Sequence, residues 1–468
     1  MCGSCSTASL TRPDKRFSAG SLGQVLFGDL GFAEDCSFVV AYSGGLDSHS
    51  LLHALAALRA VTPLRLLAVH VDHGLQAAST EWSRHCLQVC AGLEVPCRVE
   101  RLEVRPLRGE GLEAAARDAR YAALARHLSG DAVLVTGHHQ DDQAETVLLQ
   151  LLRGGGVHGL AGMPQVAPFA SGRMARPLLG FSRAALRTYA LDQGLAWIED
   201  PSNIDPRYRR NRLRQELIPQ LEMYWPSVQA VLARSAVHAS ETAQLLDEVG
   251  ALDLDRCLAR DIRDTCGQRR SAPLSVTALT VLSPARRRNV LRYWMRTEGF
   301  LAPSAAHLEE IERQLAHQPV SRHARITWPQ TEIWRYRDEL HLMVPMAAMA
   351  ADLELGWDLR APLVIPGTGC RLRPMQAWGR GLALERLAGR AVQVRLRRGG
   401  ESCRLPGRAH HQKLKKLLQA RGIEPWLRDR LPLVYVDGEL AAAADLWVCE
   451  PYAARAEEPA VVFVWEHC

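Results

Sequence analysis

Two adjacent glycines between an apolar run and a helical pattern carry the clearest chemical signal in the chain. Residues 38–48 read Phe-Val-Val-Ala-Tyr-Ser-Gly-Gly-Leu-Asp-Ser. Glycines let a loop approach a ligand closely, and the start of a helix presents unsatisfied N–H groups at its positive dipole end. Serine hydroxyls can donate to phosphate, and an aspartate can meet a phosphate-bound metal. The pattern predicts a phosphate-binding loop formed by Ser43, Gly44, Gly45, Leu46, Asp47 and Ser48.

A second group of ionisable residues lies at 137–146, where the sequence reads Gly-His-His-Gln-Asp-Asp-Gln-Ala-Glu-Thr. On a helix, Asp142 and Glu145 are three residues apart and Asp141 and Glu145 four apart, so each pair can share a face. One acid in a first turn is explained by the helix dipole, but three acids beside two histidines favour a functional site. Paired carboxylates can hold an ammonium group and accept its proton. Which carboxylate would act as the base is left open.

The elements that must position these groups follow from apolar periodicity. Between residue 37 and about residue 200, strand-like runs at 37–41, 65–71, 97–104 and 132–136 alternate with helical patterns at 48–59, 80–91, 112–128 and 141–152. This alternation predicts an α/β fold with a doubly wound parallel sheet. Ligands of such sheets bind outside the carboxyl ends of the strands. The glycine loop, the His70–Gly74 stretch and the histidines at 138 and 139 should therefore meet at one edge.

Length and composition limit the remaining possibilities. A chain of 468 residues is expected to form two or three domains. No apolar run approaches the roughly 20 residues that span a bilayer, and the N-terminus does not resemble a signal peptide, so we expect a cytoplasmic protein without membrane contact. The twelve cysteines are scattered, and Cys2-Gly-Ser-Cys5 has no second C-x-x-C partner, so they predict neither a disulfide scaffold nor a metal centre.

Positive charge is concentrated in two segments. Five arginines lie within residues 207–214, which contain no acid. Between Arg395 and Arg430 there are eleven lysines and arginines against Glu401, Glu424 and Asp429. Clustered cations are typical of nucleic-acid binders, whereas a solvated face usually mixes both signs. The charge pattern therefore favours a nucleic-acid partner.

These motifs together resemble the tRNA(Ile)-lysidine synthetase family of PP-loop ATP pyrophosphatases. The resemblance is strong over residues 37–220 and good over 390–450, whereas the middle is similar only in being helical. It is carried by residues 43–48, 70–75, 138–145, 151–163, 176–179, 199–203, 210–214, 398–408 and 413–431.

The resemblance implies a tRNA-modifying ligase. ATP, with Mg²⁺, would adenylate the C2 oxygen of the wobble cytidine in a minor tRNA-Ile with a CAU anticodon, and L-lysine would displace AMP to give lysidine. The implied catalytic residues are Asp142, Glu145 and Arg210. Residues 43–48 and His138 would bind ATP, and Asp47 would meet the metal. The implied tRNA-binding residues are Arg212, Arg214, Arg404, Arg408, Lys413, Lys415 and Lys416.

The expected domains are an N-terminal extension (1–34), a PP-loop catalytic domain (35–222), a helical middle domain (223–350) and a small α+β tRNA-binding domain (385–468). Two alternatives remain open, a PP-loop tRNA cytidine thiolase and a non-catalytic RNA-binding protein. The thiolase should carry paired C-x-x-C motifs near the loop, which this sequence lacks. A homodimer is compatible with the sequence, which does not specify the oligomeric state.

Overall fold

Strand Ser37–Ala41 is apolar from Phe38 onward because both of its faces are covered. Phe38 and Val40 belong to one core cluster, and Val39 belongs to another with Leu134 and Met174. Alternate residues of a strand point to opposite faces, so a strand with two buried faces needs helices on both sides of its sheet.

The computed structural model describes residues 16–72, 74, 79–102, 112–201, 205, 209–259, 271–316, 324–346, 349 and 352–467. The chain divides into two compact units between Leu245 and Leu246. The strands of the first unit are β1 (Ser37–Ala41), β2 (Arg65–Asp72), β3 (Cys97–Arg101), β4 (Val133–Val135), β5 (Val166–Phe169) and β6 (Gly172–Ala175).

These six strands form one sheet in the order β3-β2-β1-β4-β6-β5. All neighbours are parallel except β5 and β6, which form an antiparallel pair at one edge. The predicted strands and helices between residues 37 and 152 are all present, within a few residues at their ends. The predicted fold class is confirmed.

Helices connect and cover this sheet. They are α1 (Ala19–Gly23), α2 (Leu46–Leu58), α3 (Ser79–Gly92), α4 (Leu112–Ala125), α5 (Gln140–Leu152), α6 (Val157–Leu160), α7 (Arg183–Asp192), α8 (Arg209–Arg212), α9 (Ile218–Tyr224) and α10 (Val228–Cys257), with π-helical turns at Gln24–Asp29 and Leu213–Leu217. Helix α10 continues from the first unit into the second.

The strand order reverses direction next to β1. From β1 the chain passes through α2 to β2 on one side, and it later returns to β4 on the other side of β1. This reversal marks a topological switch point, and a crevice is expected there at the carboxyl end of the sheet. Such a switch point is where open α/β sheets bind their ligands.

Residues before the sheet also belong to its core. Phe17, Leu22 and Leu26 are buried in the same cluster as β1 and α2. The ring of Phe17 lies 5.1 Å from that of Phe181 and 4.9 Å from that of Tyr189, both in edge-to-face contact. The described part of the expected N-terminal extension is thus packed against the sheet. Cys2 and Cys5 lie outside the described residues.

The second unit begins with helices around a small sheet. The helices are α11 (Val276–Val281), α12 (Pro284–Thr297) and α13 (Ala305–Ala316). The strands are β7 (Leu274–Ser275), β8 (Ala324–Trp328), β9 (Thr331–Tyr336) and β10 (Glu339–Met343), in the antiparallel order β7-β10-β9-β8. We expected mostly helix here, and the structure adds this sheet. In β8, buried Ile326 and Trp328 alternate with exposed residues, a period-two signal too short to stand out between helices.

The rest of the unit is mainly antiparallel sheet. Its strands are β11 (Glu354–Gly356), β12 (Leu363–Ile365), β13 (Cys370–Trp378), β14 (Leu382–Ala383), β15 (Val392–Leu396), β16 (Ser402–Cys403), β17 (Gln412–Lys413), β18 (Pro432–Val436), β19 (Glu439–Ala443), β20 (Trp447–Val448) and β21 (Pro459–His467). Its helices are α14 (Leu384–Leu387), α15 (Leu414–Arg421) and α16 (Pro425–Arg428).

The strands of this region form three sheets, in the orders β11-β15-β18-β19-β20, β12-β13-β21-β14 and β16-β17. One disulfide joins Cys403 to Cys449, although the cysteine pattern predicted no disulfide scaffold. Within the described part of the chain, no helix combines the length and apolar character needed to cross a membrane.

Candidate active site

The predicted phosphate loop is held in shape by its two serines. Ser48 Oγ accepts a hydrogen bond from the Ser43 backbone N–H at 3.2 Å and lies 3.0 Å from Ser43 Oγ. Ser48 Oγ also donates to the Gly45 carbonyl at 3.1 Å. Gly45 is the N-cap of α2 and has no side chain to satisfy the first N–H groups of the helix. An anion can accept from such groups at the start of a helix.

The two glycines of the loop have different roles. Gly44 has a φ of 82°, and a Cβ there would lie 2.5 Å from Ile198 Cδ1 and 2.9 Å from Cys86 Sγ. Gly45 has an ordinary φ of −78°, and a Cβ there would meet nothing closer than 3.5 Å. Gly44 is therefore required by conformation and packing, whereas the open space above Gly45 leaves room for a ligand.

The loop that leaves β4 comes very close to the start of α2. A Cβ at Gly137 would lie 3.0 Å from the backbone nitrogen of Ser48. This contact brings the 137–146 segment against the phosphate loop, as the parallel strands predict. His70 is buried nearby on β2, and its Nδ1 lies 3.0 Å from the Tyr42 carbonyl. It thus contacts the residue that directly precedes the phosphate loop. His73 and residues 75–78 lie outside the described residues.

His139 links the two predicted motifs. Its side chain is 1% exposed. Nε2 lies 3.6 Å from Asp47 Oδ2 and 3.4 Å from Asp142 Oδ2, and Nδ1 lies 3.7 Å from Asp141 Oδ1. Asp142 Oδ2 also accepts from the His139 backbone N–H at 3.1 Å, which caps α5. One imidazole thus joins the carboxylate of the loop to the acids of the helix.

The charges of this cluster support one another. Burial alone would lower the pKa of His139, but Asp142, Asp141 and Asp47 outweigh burial and raise it to about 10. Burial alone would raise the pKa of Asp142, but His139 and then Arg210 lower it to about 2. At neutral pH the imidazole is therefore a cation and Asp142 an anion.

Two arginines of the basic segment hold Glu145, whose side chain is 1% exposed. Arg210 Nε donates to Oε2 at 2.6 Å, and Arg214 Nε donates to Oε1 at 2.6 Å. Both guanidinium groups also approach Asp142 Oδ1, at 3.5 Å from Arg210 and 3.1 Å from Arg214. The arginines are four residues apart and so lie on one helical face. Both oxygens of Glu145 are engaged, which makes it an anchor for cations.

His138 differs from its neighbour. Its Nδ1 lies 2.8 Å from Thr136 Oγ1. Burial, opposed by Asp142 and aided by Arg176 and Arg210, lowers the pKa of His138 to about 3. It is therefore a neutral imidazole that can offer a hydrogen bond to a nucleotide without adding charge.

Asp47 fits the predicted metal role in one respect. Its Oδ1 is buried and has no hydrogen-bond partner within the described part of the chain. Mg²⁺ commonly binds through one or two carboxylates together with substrate phosphates. Among the described residues there is no group of three side chains arranged to hold a metal by themselves.

The residues predicted to bind tRNA fall into two sets. Arg214 belongs to the acidic cluster, and Arg212 is exposed, 3.9 Å from Glu216. The second set lies in the other unit, on the loop and helix around β17. There Arg408, Lys413, Lys415 and Lys416 are exposed and Arg404 is half-buried. Residues 202–204 and 206–208, which include Arg207 and part of the 199–203 motif, lie outside the described residues.

Two residues of the site were not among the predicted site residues. His139 was noted only as part of a motif, and its burial could not be inferred from sequence. Arg183 begins α7; its Nε lies 3.8 Å from Asp47 Oδ1, and its backbone N–H donates to Asp141 Oδ1 at 3.1 Å. No local pattern marks this arginine, because its partners lie more than forty residues away in the chain.

Comparison with known families agrees with this geometry. A PP-loop domain model matches residues 22–221, which places the first unit in the class of PP-loop nucleotide-using proteins. Two further models match the second unit, a TilS substrate binding domain at 274–341 and a TilS substrate C-terminal domain at 392–465.

Relatives that match most of the chain identify the family within this class. A tRNA(Ile)-lysidine synthase from Alkalilimnicola ehrlichii is 44% identical over 89% of this chain and 91% of its own length. One from Methylococcus capsulatus is 40% identical over 92% of this chain and 96% of its own length. The chain belongs to the tRNA(Ile)-lysidine synthase family. Among solved structures, the U34-tRNA thiolase NcsA of Methanococcus maripaludis matches 48% of this chain and 77% of its own, with 16% identity and a TM-score of 0.42.

Proposed function

We propose that this protein is an ATP-dependent ligase that converts the wobble cytidine of a tRNA-Ile with a CAU anticodon to lysidine. Membership of the lysidine synthase family supports the reaction class and the tRNA substrate. The observation that carries the site assignment is the linkage of Asp47 in the phosphate loop to Asp142 in the acidic helix through His139. One crevice thus offers a place for a nucleotide beside a place for an amine.

In the first step the cytosine C2 oxygen attacks the α-phosphorus of ATP. A P–O bond to the α-phosphate forms, the bond to the β-phosphate bridge breaks, and pyrophosphate leaves. Such transfers depend mainly on positioning and on compensation of charge. We assign these tasks to the N–H groups at the start of α2, to Ser43 and to neutral His138. Asp47 would hold Mg²⁺, which would supply further charge compensation for the phosphates.

In the second step the side-chain nitrogen of lysine attacks C2, the C2–O bond breaks, and AMP leaves with the oxygen. A lysine amine has a reference pKa of about 10.4 and arrives as an ammonium ion. The acids of the cluster already face cations, so an ammonium must replace one of them. We infer that it takes the place of a guanidinium at Asp142, and that the released arginine, Arg210 or Arg214, binds the lysine carboxylate through its forked donors.

Proton removal need not rely on a strong base. A carboxylate whose pKa is about 2, as for Asp142, cannot deprotonate free lysine efficiently. Once the new C–N bond begins to form, however, the nitrogen becomes far more acidic, and a nearby carboxylate can then accept its proton. Asp142 and Glu145 therefore first act as electrostatic anchors in this account. From the substrates ATP, tRNA and lysine we infer that the reaction takes place in the cytoplasm. The homodimer stays a prediction.

A direct test is the dependence of AMP release on each substrate. Purified protein is incubated with labelled ATP and with the tRNA, lysine, both or neither. We expect sustained AMP and pyrophosphate release only when both are present. Release with lysine but no tRNA, or with tRNA and ammonia but no lysine, would contradict the proposal.

A further inference from the structure

The second unit contains a cavity of about 780 Å³ that has no part in the reaction described above. Strands β8 and β9 supply Arg325, Glu332 and Trp334 to its lining. The segment after β15 and helix α16 supply most of the remainder. This volume is within the roughly 300–1,000 Å³ typical of small-molecule sites.

Two tryptophans form an aromatic corner of the cavity. The rings of Trp334 and Trp426 lie 5.5 Å apart with their planes inclined by 54°. Trp426 is buried and also contacts His341, with the ring centres 4.7 Å apart. Trp334 itself is half-buried and lines the cavity, so part of its ring is accessible to a ligand.

The rest of the lining is rich in arginine. Four arginines, at positions 325, 397, 398 and 430, face the cavity against only two carboxylates, Glu332 and Asp429. Three of them have carboxylate partners: Arg397 Nη1 donates to Asp429 Oδ1 at 2.9 Å, Arg398 Nη2 lies 3.4 Å from Glu354 Oε1, and Arg325 pairs with Glu332. The guanidinium of Arg325 also lies 5.5 Å from the ring centre of Trp334. The lining thus combines more arginines than carboxylates with flat aromatic surface.

Flat aromatic surface beside guanidinium groups matches a nucleobase joined to a phosphate. Bases stack on indole rings, and arginine binds phosphate through paired N–H groups. An acidic peptide would use the arginines but leave the aromatic corner unused. We propose that this cavity binds one unpaired nucleotide of the RNA substrate, with its base against Trp334 and its phosphate toward Arg398. The identity of the RNA rests on the proposed function.

The test measures binding by the full-length protein in saturating α,β-methylene-ATP, which fills the phosphate loop but cannot release pyrophosphate and so cannot adenylate the RNA. The probes are the single-stranded trinucleotide CpApC, cytidine 5′-monophosphate and the intact tRNA. Trp334→Leu removes the flat ring, Trp334→Phe keeps one, and Trp378→Leu changes an exposed tryptophan elsewhere in the same unit. We expect Trp334→Leu to weaken trinucleotide and tRNA binding about fivefold or more. Trp334→Phe should restore most of the affinity, and Trp378→Leu should have no effect.

A charge variant keeps the test valid if Trp334→Leu fails to fold. Arg398→Gln should weaken tRNA binding and lower the slope of log affinity against log salt by about one. Arg360→Gln removes the same charge from an exposed position outside the cavity lining and should leave the slope unchanged. Equal slopes for both variants would overturn the proposal.

The outcomes separate this proposal from the proposed function. If trinucleotide affinity is unchanged in both Trp334→Leu and Arg398→Gln, the cavity assignment is wrong, even if the wild type makes lysidine. If Trp334→Leu loses cytidine monophosphate binding but keeps its tRNA affinity, the cavity binds free nucleotides and not the RNA, and the proposal is wrong. Weakened trinucleotide and tRNA binding supports the assignment, even if the wild type forms no lysidine.

Discussion

Arg210 Nε donates a hydrogen bond to Glu145 Oε2 across 2.6 Å, although the two residues are 65 positions apart in the chain. This contact joins the start of the helix after β4 to the basic segment that follows the catalytic sheet. Since Glu145 is buried, its negative charge is tolerated only because guanidinium groups compensate it. The proposed binding of lysine by the acidic helix and the role of the arginines must therefore be tested together.

Replacing Glu145 by Gln should decrease lysine incorporation at least about 100-fold, because the amide cannot anchor the cations of the cluster. Binding of the tRNA, measured without ATP and lysine, should change little. Glu216→Gln is the matched control, since that exposed carboxylate lies just after the basic segment and approaches Arg212 instead of the buried cluster. A variant that loses tRNA affinity while still transferring lysine at the wild-type rate would remove Glu145 from the catalytic set.

The two loop glycines should respond differently to alanine. Gly44→Ala forces a side chain into a left-handed backbone and against Ile198 and Cys86, so it should destabilise the first unit by about 1–3 kcal/mol. Gly45→Ala should leave the melting temperature nearly unchanged but weaken ATP binding, since its methyl group enters the ligand space. Thermal unfolding and nucleotide titration measure the two effects. Equal melting temperatures for both variants would refute the distinction.

His49 on α2 should make the first unit sensitive to acid. It is buried, and burial, with help from His85, lowers its pKa from 6.5 to about 4. The unfolded chain therefore binds a proton at a higher pH than the folded chain does. The stability contributed by neutral His49 is complete above about pH 6.5 and is lost as the pH falls toward 4, by about 3 kcal/mol.

His49→Gln should reduce this loss between pH 7 and pH 4 in denaturant unfolding curves. His238→Gln, which changes an exposed histidine of the same unit, should retain it. If both variants followed the wild-type pH dependence, the acid sensitivity would have to arise from other groups.

The three lysines of the second unit test the electrostatic part of tRNA binding. Lys413, Lys415 and Lys416 are exposed around the start of α15. Neutralising all three should weaken tRNA binding and reduce the salt dependence by about one log–log unit for each lost phosphate contact. Arg380→Gln, an exposed change in the same unit, serves as the control. An unaltered slope in the triple variant would place these lysines away from the RNA.

Local patterns were sufficient to predict the sheet that carries the site. Strand β1 was predicted with its observed ends, because an apolar run followed by two glycines leaves little choice of structure. The meeting of the phosphate loop with the 137–146 segment also followed, since adjacent parallel strands end at one edge. The predicted phosphate loop and acidic helix therefore lie together.

Local sequence patterns could not predict contacts between residues that are far apart in the chain. The family resemblance implied an RNA contact for Arg214, which stays a prediction. Its hydrogen bond to Glu145, 69 positions away, depends on the fold and could not be predicted from local sequence. The sheet of β7 to β10 was missed because strands of two to six residues carry little periodicity. The Trp334–Trp426 corner combines residues from two distant segments, and no local motif marks it.

The central claim is tested most directly by mass spectrometry of the modified nucleoside. The purified protein is incubated with ATP, isotopically labelled lysine and total tRNA, and the tRNA is then digested to nucleosides. The account predicts a cytidine derivative that carries the lysine label, located at the wobble position of tRNA-Ile with a CAU anticodon. Sulfur incorporated at cytidine, or no labelled nucleoside with an active preparation of tRNA, would contradict it.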